Sequence, residues 1–530
     1  MGKEWTLAEN DAQDEWTLPD GWVWTTIGEI TQPVEKVKPG ENPDASFTYL
    51  DISSIDNQSN RIAEPKVYYG AEAPSRARQL VQANDVLFST VRTYLKNIAL
   101  VPEAYDGQIA STGFSVLRSE PGVSPKYLFY YALTDPFLNK LGKLQRGTSY
   151  PAVRDGDVRA QLVPLAPLPE QRRIVAEIET QFTRLDAAVA GLERAQANIR
   201  RYKAAVLKAA CEGQLVPTEA ALASAEGRDY EPADQLLARI LAERRARWET
   251  DYLEKQRAKG REPKDDKWKQ KYKEPAPPDR EELPELPEGW AWTTMAQTGS
   301  VIGGLTKNSK RKDYPLQLPY LRVANVYADE LRLDDVREIG VREKELERVL
   351  LKKGDLLVVE GNGSIEQIGR VALWNGSIEP CVHQNHIIKV RFTYVELGKY
   401  ILLWLLSMGG REHITRVASS TSGLYTLSLS KVSSIPIPLP TLLEQRRIVA
   451  EVERRLSLVA ALEASVEAAL ARAGRLRQAV LKQAFEGRLV PQDPDDEPAS
   501  VLLERIRAQR EARTTAKGKQ KVEQMRLPTV

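Results

Sequence analysis

The chain is written twice, and that self-similarity limits its architecture before any local pattern is read. The stretch Leu18 to Thr26 (LPDGWVWTT) recurs as Leu286 to Thr294 (LPEGWAWTT). Glu170 to Glu177 (EQRRIVAE) returns without a change as Glu444 to Glu451, and Ala205 to Pro217 returns, nearly unaltered, as Ala479 to Pro491. A weaker echo follows each, Glu231 to Arg239 against Glu497 to Arg505. An identical octapeptide in fixed order between two other matches means two half-chains of one plan. Between the markers, residues 27–160 and 295–430 share only a faint skeleton, such as NDVL from Asn84 against GDLL from Gly354. Each half therefore combines a variable globe with a constant rod.

The rods read as helices. In residues 170–212, Ile174, Ile178, Phe182, Leu185, Val189, Leu192, Ile199 and Val206 recur at spacings of three and four, with charge on the other faces. Pro169 marks the start, Gly213 and Pro217 the end. Residues 444–486 repeat the stripe with Ile448, Val452, Leu456, Val459, Leu462, Val466, Leu476 and Val480, and Thr441 with Glu444 forms a candidate capping box. At about 1.5 Å per residue each rod is roughly 60 Å long. A solitary helix of that kind leaves its stripe wet, so the expectation is that the two stripes bury each other in an antiparallel coiled coil. The alternative is that each helix packs on its own globe.

The globes mix short strands with helices. Strands are expected at residues 47–52, 85–89, 98–101 and 114–117, and again at 320–326, 355–359, 370–373 and 387–392; helices are expected at 125–141 and 395–406. The fold class is α+β, with two mixed α/β domains joined by two long helices in a pseudo-two-fold internal repeat. The division is 1–17 N-terminal extension, 18–168 first globe, 169–217 first spacer helix, 218–285 charged helix and Pro-rich linker, 286–440 second globe, 441–491 second spacer helix, and 492–530 C-terminal helix and basic tail. Within the linker, residues 234–259 form a charged helix candidate and 264–285 a connector with little to bury. The tail after Arg510 is expected to be disordered.

The polar inventory of the globes suits phosphates and base edges. The first globe offers Arg76, Arg78, Thr90, Arg92, Tyr94 and Lys96, then Arg146, Thr148, Ser149 and Tyr150 on a flexible loop. The second offers Lys307, Lys310 and Arg311 on a basic loop, Asn362, Ser364 and Gln367 on a Gly-rich loop, and the run His383, Gln384, Asn385, His386. Ser422 and Tyr425 parallel the Tyr150 loop. Any one of these could be an ordinary solvated side chain; their parallel placement in both halves raises the group. Net charge is only +2, from 75 Lys and Arg against 73 Asp and Glu, so local clustering carries the case for a nucleic-acid ligand.

Other chemistries lack their residues. There is neither a Gly-rich cofactor loop after a strand nor an Asn/Asp-Pro-Pro-aromatic site, as a DNA methyltransferase needs, and no P-loop. Asp44, Glu64 and Lys66 fit a loose nuclease pattern that reads as accidental. Cys381, His383 and His386 lack a fourth zinc ligand, and alternation on a strand would send the two histidines to opposite faces. Two cysteines, Cys211 and Cys381, cannot make a disulfide framework and fit a reducing cytoplasm. No apolar run nears the roughly 20 residues of a membrane span, and residues 1–14 lack signal-peptide order. The match of Gly2 and Thr6 to a myristoylation pattern is too short to weigh.

The LPxGW opening of each half, Gly354 to Leu357 with Ile368 to Arg370, and above all EQRRIVAE leading into a helix that ends EGxLVP, closely resemble type I restriction-modification specificity subunits. The resemblance covers residues 18–217 and 286–491. It implies two target recognition domains, each reading half of a bipartite site on double-stranded DNA, held by an antiparallel helical spacer. It also implies a non-catalytic chain with no cofactor of its own. Two modification subunits that methylate adenine with S-adenosylmethionine, and restriction subunits driven by ATP with Mg, would be its partners. The charged insertion after the first rod is where the chain departs from that pattern. The competing reading is a two-headed coiled-coil scaffold for proteins, and a self-sufficient methyltransferase is disfavoured by the missing motifs.

Overall fold

The computed structural model describes residues 17–261, 263, 265–421 and 424–524, without the side chains of 419–421 and 516–524. The chain falls into two compact units, Met1–Glu193 with Glu467–Val530, and Arg194–Val466. The two rods are single helices, Leu168–Cys211 and Leu442–Phe485, and each gives one half to each unit.

In the first unit a four-stranded sheet runs in the order Thr31–Gln32, Phe114–Ser119, Val86–Ser89, Ile98–Leu100. A second takes the order Lys66–Tyr69, Ser46–Leu50, Ile109–Ser111, Ala77–Leu80. The second unit repeats the first of these sheets with Gly299–Gly303, Ile387–Phe392, Leu356–Val359 and Val371–Leu373 in the same order. The faint NDVL and GDLL echo marks its central strand. Asn84 and Gly354 both have left-handed backbones, with φ of 71° and 90°. The next residue turns inward: Asp85 takes two hydrogen bonds from Arg118, and Asp355 takes two from Arg391.

The LPxGWxWTT signature is itself a strand. Val23–Thr26 pairs antiparallel with Leu162–Leu165, and Ala291–Thr294 with Pro436–Leu439, so each globe's first strand is stitched to the segment that enters its rod. Trp22 then donates to Glu170 and Trp290 to Glu444, both at 2.9 Å. Gln171 and Gln445 donate to the carbonyls of Ala166 and Pro440 just upstream. These bonds explain why the Glu-Gln pair of the octapeptide is identical in the two halves. The predicted capping box at Thr441 is only half formed. Thr441 accepts from the Glu444 N–H, but the Glu444 carboxylate is taken by Trp290 and the N–H of Glu219.

Burial along the rods follows a seven-residue repeat, the seam spacing of a left-handed coiled coil. In the first helix Ile178, Leu185, Leu192, Ile199 and Val206 are buried or half-buried; in the second, Val452, Val459, Val466, Ala473 and Val480 are. Leu462 and Leu476, which the three-four spacing placed on the stripe, are instead exposed, and Ala473 takes a seam position. In each unit the helices pair antiparallel. Ile174 and Ile178 share a core with Ala484 and Phe485, and farther along Asp186 pairs with Arg477. In the other unit, Val206 and Ala210 share a core with Ile448 and Val452, and Lys203 pairs with Glu463 at 2.6 Å.

Three local expectations change. The helix expected over 125–141 is two, Pro125–Ala132 and Asp135–Leu144, because Pro136 at the start of the second cannot continue the first. Residues 511–524, expected to be disordered, continue the helix Ala499–Gln524. The connector also buries more than expected: Trp268 is covered, stacking on Tyr252. The weak echo has a structural meaning as well. Helices Ala233–Arg257 and Ala499–Gln524 each clip a globe. Arg244 donates to the Gly299 carbonyl, and Arg510 to the carbonyls of Glu29 and Thr31, while Leu236 and Ile240, or Leu502 and Ile506, enter the core.

Candidate nucleic-acid interface

In the first globe the segment after the central strand Val86–Ser89 is fastened to the Tyr150 loop by backbone. Val91 and Arg146 both bridge to Ala152, and the Arg92 N–H donates to the Pro151 carbonyl at 2.7 Å. Arg92 and Lys96 hold left-handed backbones, with φ of 49° and 55°, flanking one turn of tight helix. Such conformations are costly for side chains with a Cβ and persist only where the surroundings fix them. Here the Arg92 guanidinium stacks 4.6 Å over the Tyr150 ring and donates to the Ser149 carbonyl, while Gln145 donates to Thr93. Arg146, Thr148, Ser149, Tyr150 and Tyr94 are exposed on this surface. Lys96 is paired with Asp135 at 3.0 Å. Arg76 and Arg78 belong to the other sheet, beside or within Ala77–Leu80, with Arg76 exposed and Arg78 half-buried.

The second globe builds its counterpart from three loops. The Leu305 N–H donates to the His383 carbonyl and the Asn385 N–H to the Leu305 carbonyl, joining the basic loop to the His383 run. Gly304 lies so close to the Gln384 backbone that an added Cβ would sit 2.3 Å from its oxygen, so only glycine fits. Glu360 ties the remaining parts: its N–H donates to the His386 carbonyl, its carbonyl accepts from Leu427, and its carboxylate meets His386 Nδ1 at 3.2 Å. Gly361–Asn362 pairs with Leu424–Thr426, which pairs with Ser419–Thr421. The resemblance of the 419–425 loop to the Tyr150 loop therefore extends to backbone pairing with the segment after the central strand.

On these loops Gln367, Lys307 and Lys310 are exposed, while Gln384, Asn385 and Tyr425 are half-buried, Tyr425 packing partly against the core. Among the described residues neither the Gln384 nor the Asn385 amide has a hydrogen-bond partner, and Lys307 and Lys310 have no ion pair. Asn362 and Ser364 partly serve the loop itself, through a bond from the Ser364 N–H to Asn362 Oδ1. Ser422 lies outside the described residues.

Three expected contact residues face inward. Thr90 is buried and donates to the Gly113 carbonyl. Arg311 is 6% exposed and spends its guanidinium on the carbonyls of Thr306 and Gly340 and on Glu345, so it shapes the basic loop rather than presenting charge. His383 is fully buried with Nδ1 on the Ile387 carbonyl; burial, then the Lys389 charge, pull its pKa down to about 3. A polar side chain whose bonds are used inside cannot read a ligand outside. The zinc reading also fails geometrically. Cys381 is buried, with its thiol on the Val382 carbonyl and pushed up to about 12 by burial, His386 turns to Glu360, and only His383 lies in a strand. Asp44, Glu64 and Lys66 are all exposed, and among the described residues no group of three His, Cys, Asp or Glu is placed to hold a metal.

Aromatics that composition did not single out are the exposed Tyr69, on the edge strand Lys66–Tyr69, and the half-buried Tyr327, whose ring lies between Arg332 at 3.8 Å and Arg370 at 4.4 Å. The consecutive aromatics Tyr68 and Tyr69 were the available signal for the first. The Tyr327 sandwich joins residues up to 43 positions apart and leaves no local trace.

Comparison with known proteins shows what this chain is similar to. Residues 287–468 match the family described as type I restriction modification DNA specificity domain. The specificity subunit of the EcoKI type I restriction enzyme, from Escherichia coli (strain K12), is 24% identical over 523 residues, covering 95% of this chain and 98% of that subunit. That of StySPI, from Salmonella potsdam, is 24% identical over 93% of this chain and 96% of its own. The chain is thus similar to type I specificity subunits along nearly its whole length, and the family model matches within its second half. Among solved structures, a chain from work on complex assembly and conformational transition of the type I R-M system superposes with a TM-score of 0.61 at 29% identity. It covers 89% of this chain and 100% of that one. The HsdS subunit from Thermoanaerobacter tengcongensis gives a TM-score of 0.50 at 27% identity, over 90% and 99%. The fold of two sheet-containing domains with two long helices is thus shared with solved type I subunits. Specificity subunits are non-catalytic in type I systems. No helix among the described residues is long and apolar enough to cross a membrane.

Proposed function

We propose that each globe reads one half of a split, asymmetric duplex site, and that the chain bridges two modification subunits and the restriction subunits of a cytoplasmic complex. S-adenosylmethionine, ATP and Mg would be bound by those partners. The observation that carries the reading is the repeated face. In both halves the loop leaving the central strand is locked to a hairpin, and the framework beneath is the same, but the side chains presented differ. Arg146 and Tyr150 stand on one; Gln384, Asn385 and Tyr425 stand on the other. A bidentate Gln or Asn on adenine, or Arg on guanine, discriminates by about 1 to 3 kcal/mol. Phosphate contacts weaken binding to all sequences alike.

The test measures binding of the chain assembled with its modification subunits to duplexes with either half-site scrambled. Gln384→Ala with Asn385→Ala should lose discrimination in one half-site only, by about 10- to 100-fold. Arg146→Ala should act on the other half-site or weaken binding generally. If both variants keep full discrimination, these residues are not the readers. If the parent assembly shows no sequence preference, the scaffold reading replaces this one.

A further inference from the structure

The charged segment after the first rod is folded into a basic hairpin. Past its clip at Arg244, the helix Ala233–Arg257 runs on, and the connector turns at Gly260, whose φ is 66°, and comes back as the tight helix Asp266–Lys271. An aromatic stack fastens the two arms. Tyr252 and Trp268 lie 3° from parallel with centroids 5.1 Å apart, and Trp248 meets Tyr252 and Tyr272, each at 5.3 Å. Trp268 is 8% exposed, so the rings hold the hairpin shut and are not an open platform.

What the hairpin shows to solvent is charge. Residues 244–273 contain twelve Lys and Arg against six Asp and Glu, in a chain whose net charge is only +2. Lys255, Arg257, Lys259, Arg261 and Lys273 are all exposed, and none has a carboxylate partner among the described residues. No exposed large hydrophobic side chain lies between 244 and 273. Protein interfaces depend on desolvated apolar and aromatic anchors, which this surface does not present. Cations on long side chains without anchors suit a phosphate backbone, where affinity comes from releasing condensed counterions and carries no sequence information.

We propose that this hairpin is an auxiliary site for duplex DNA, gripping the phosphate backbone independently of sequence. The proposal rests on the chain being a DNA reader and adds to it a term that base contacts do not supply. The same helix in the other half carries Lys517, Lys519 and Lys521 beyond Arg510, so both clip helices continue into basic sequence.

The test neutralises the five cations together, as Lys255→Gln, Arg257→Gln, Lys259→Gln, Arg261→Gln and Lys273→Gln, in the full chain assembled with its modification subunits. Affinity is measured against salt for one duplex containing the cognate site and one of equal length without it. Each lost phosphate contact removes about 0.9 from the slope of log affinity against log salt. The expected result is a slope shallower by about 2 to 4, an affinity on the order of tenfold lower for both duplexes, and an unchanged ratio between them. An unchanged slope overturns the proposal. So does loss of subunit assembly on size exclusion with normal DNA binding by the assembled fraction, which would assign the hairpin to an acidic protein partner. If the parent assembly does not distinguish the two duplexes, the reading of the globes fails, while the slope comparison still reports on the hairpin.

Discussion

Trp22 gives its indole N–H to Glu170 across 148 residues, and Trp290 gives its own to Glu444 at the same 2.9 Å. One bond, made twice, joins the opening of each globe to the first turn of its rod. Burial raises both carboxyl pKa values, against the lowering effect of the indole donors.

Trp22→Phe should therefore cost about 1 to 3 kcal/mol in chemical denaturation, because it leaves a buried carboxylate without its donor. The loss should depend on pH with a definite sign. Removing the donor raises the folded pKa of Glu170 further, and stability tied to a raised carboxyl pKa is present at acid pH and lost as pH rises through the folded value. The variant should fall behind the parent more at neutral pH than near pH 5. An equal deficit at both would remove Glu170 from the account.

Asp355 accepts from Arg391 at 2.8 and 2.6 Å and from the Lys352 N–H at 2.7 Å. Asp355→Ala strands a largely covered guanidinium, and breaking a buried pair from one side costs about 3 to 5 kcal/mol. Urea unfolding should show that loss, with Asp85→Ala matching it in the other globe. A change below about 1 kcal/mol would mean the pair is solvated.

The rods separate two leucine-like positions that a three-four count treats alike. Val459 is 4% exposed and Leu462 56%. Val459→Asp should destabilise by several kcal/mol, since it buries an unpaired charge, whereas Leu462→Asp should stay within about 0.5 kcal/mol. Equal melting shifts for the two would contradict the heptad seam.

His383 is held neutral, its pKa down at about 3 from an ordinary 6.5. Below 6.5 the unfolded chain takes up the proton that the folded one refuses, so this residue's stability is complete above that value and is lost as pH falls towards 3. The slope contributed is up to about 1.4 kcal/mol per pH unit. Unfolding midpoints for the parent and His383→Gln, compared at about pH 7 and about pH 5, should show the steeper acid loss in the parent. Parallel profiles would rule out His383 as the source.

The sequence misjudged His383, Thr90 and Arg311 for a common reason. Each sits in a polar run that reads as a loop, and whether such a side chain points out or in depends on partners far along the chain, as when Arg311 meets Gly340 and Glu345. Gln384 and Asn385 in the same region are half-buried, and among the described residues their amides have no hydrogen-bond partner. The Tyr327 sandwich between Arg332 and Arg370 was invisible, since one of its two guanidinium partners lies 43 positions along the chain.

By itself the sequence determined the plan: two globes, two helical rods with apolar stripes at spacings of three and four, and an exact octapeptide at the start of each rod, because periodicity and repetition are properties of a linear string. Tertiary structure decided the rest. It selected which residues of an apolar stripe lie in the seam, turned the charged insertion into a clip and a hairpin, and divided the polar loop residues into framework and surface. Those outcomes depend on hydrogen bonds and burial between residues tens to hundreds of positions apart, such as Arg510 on Thr31, and no local window of sequence contains both partners.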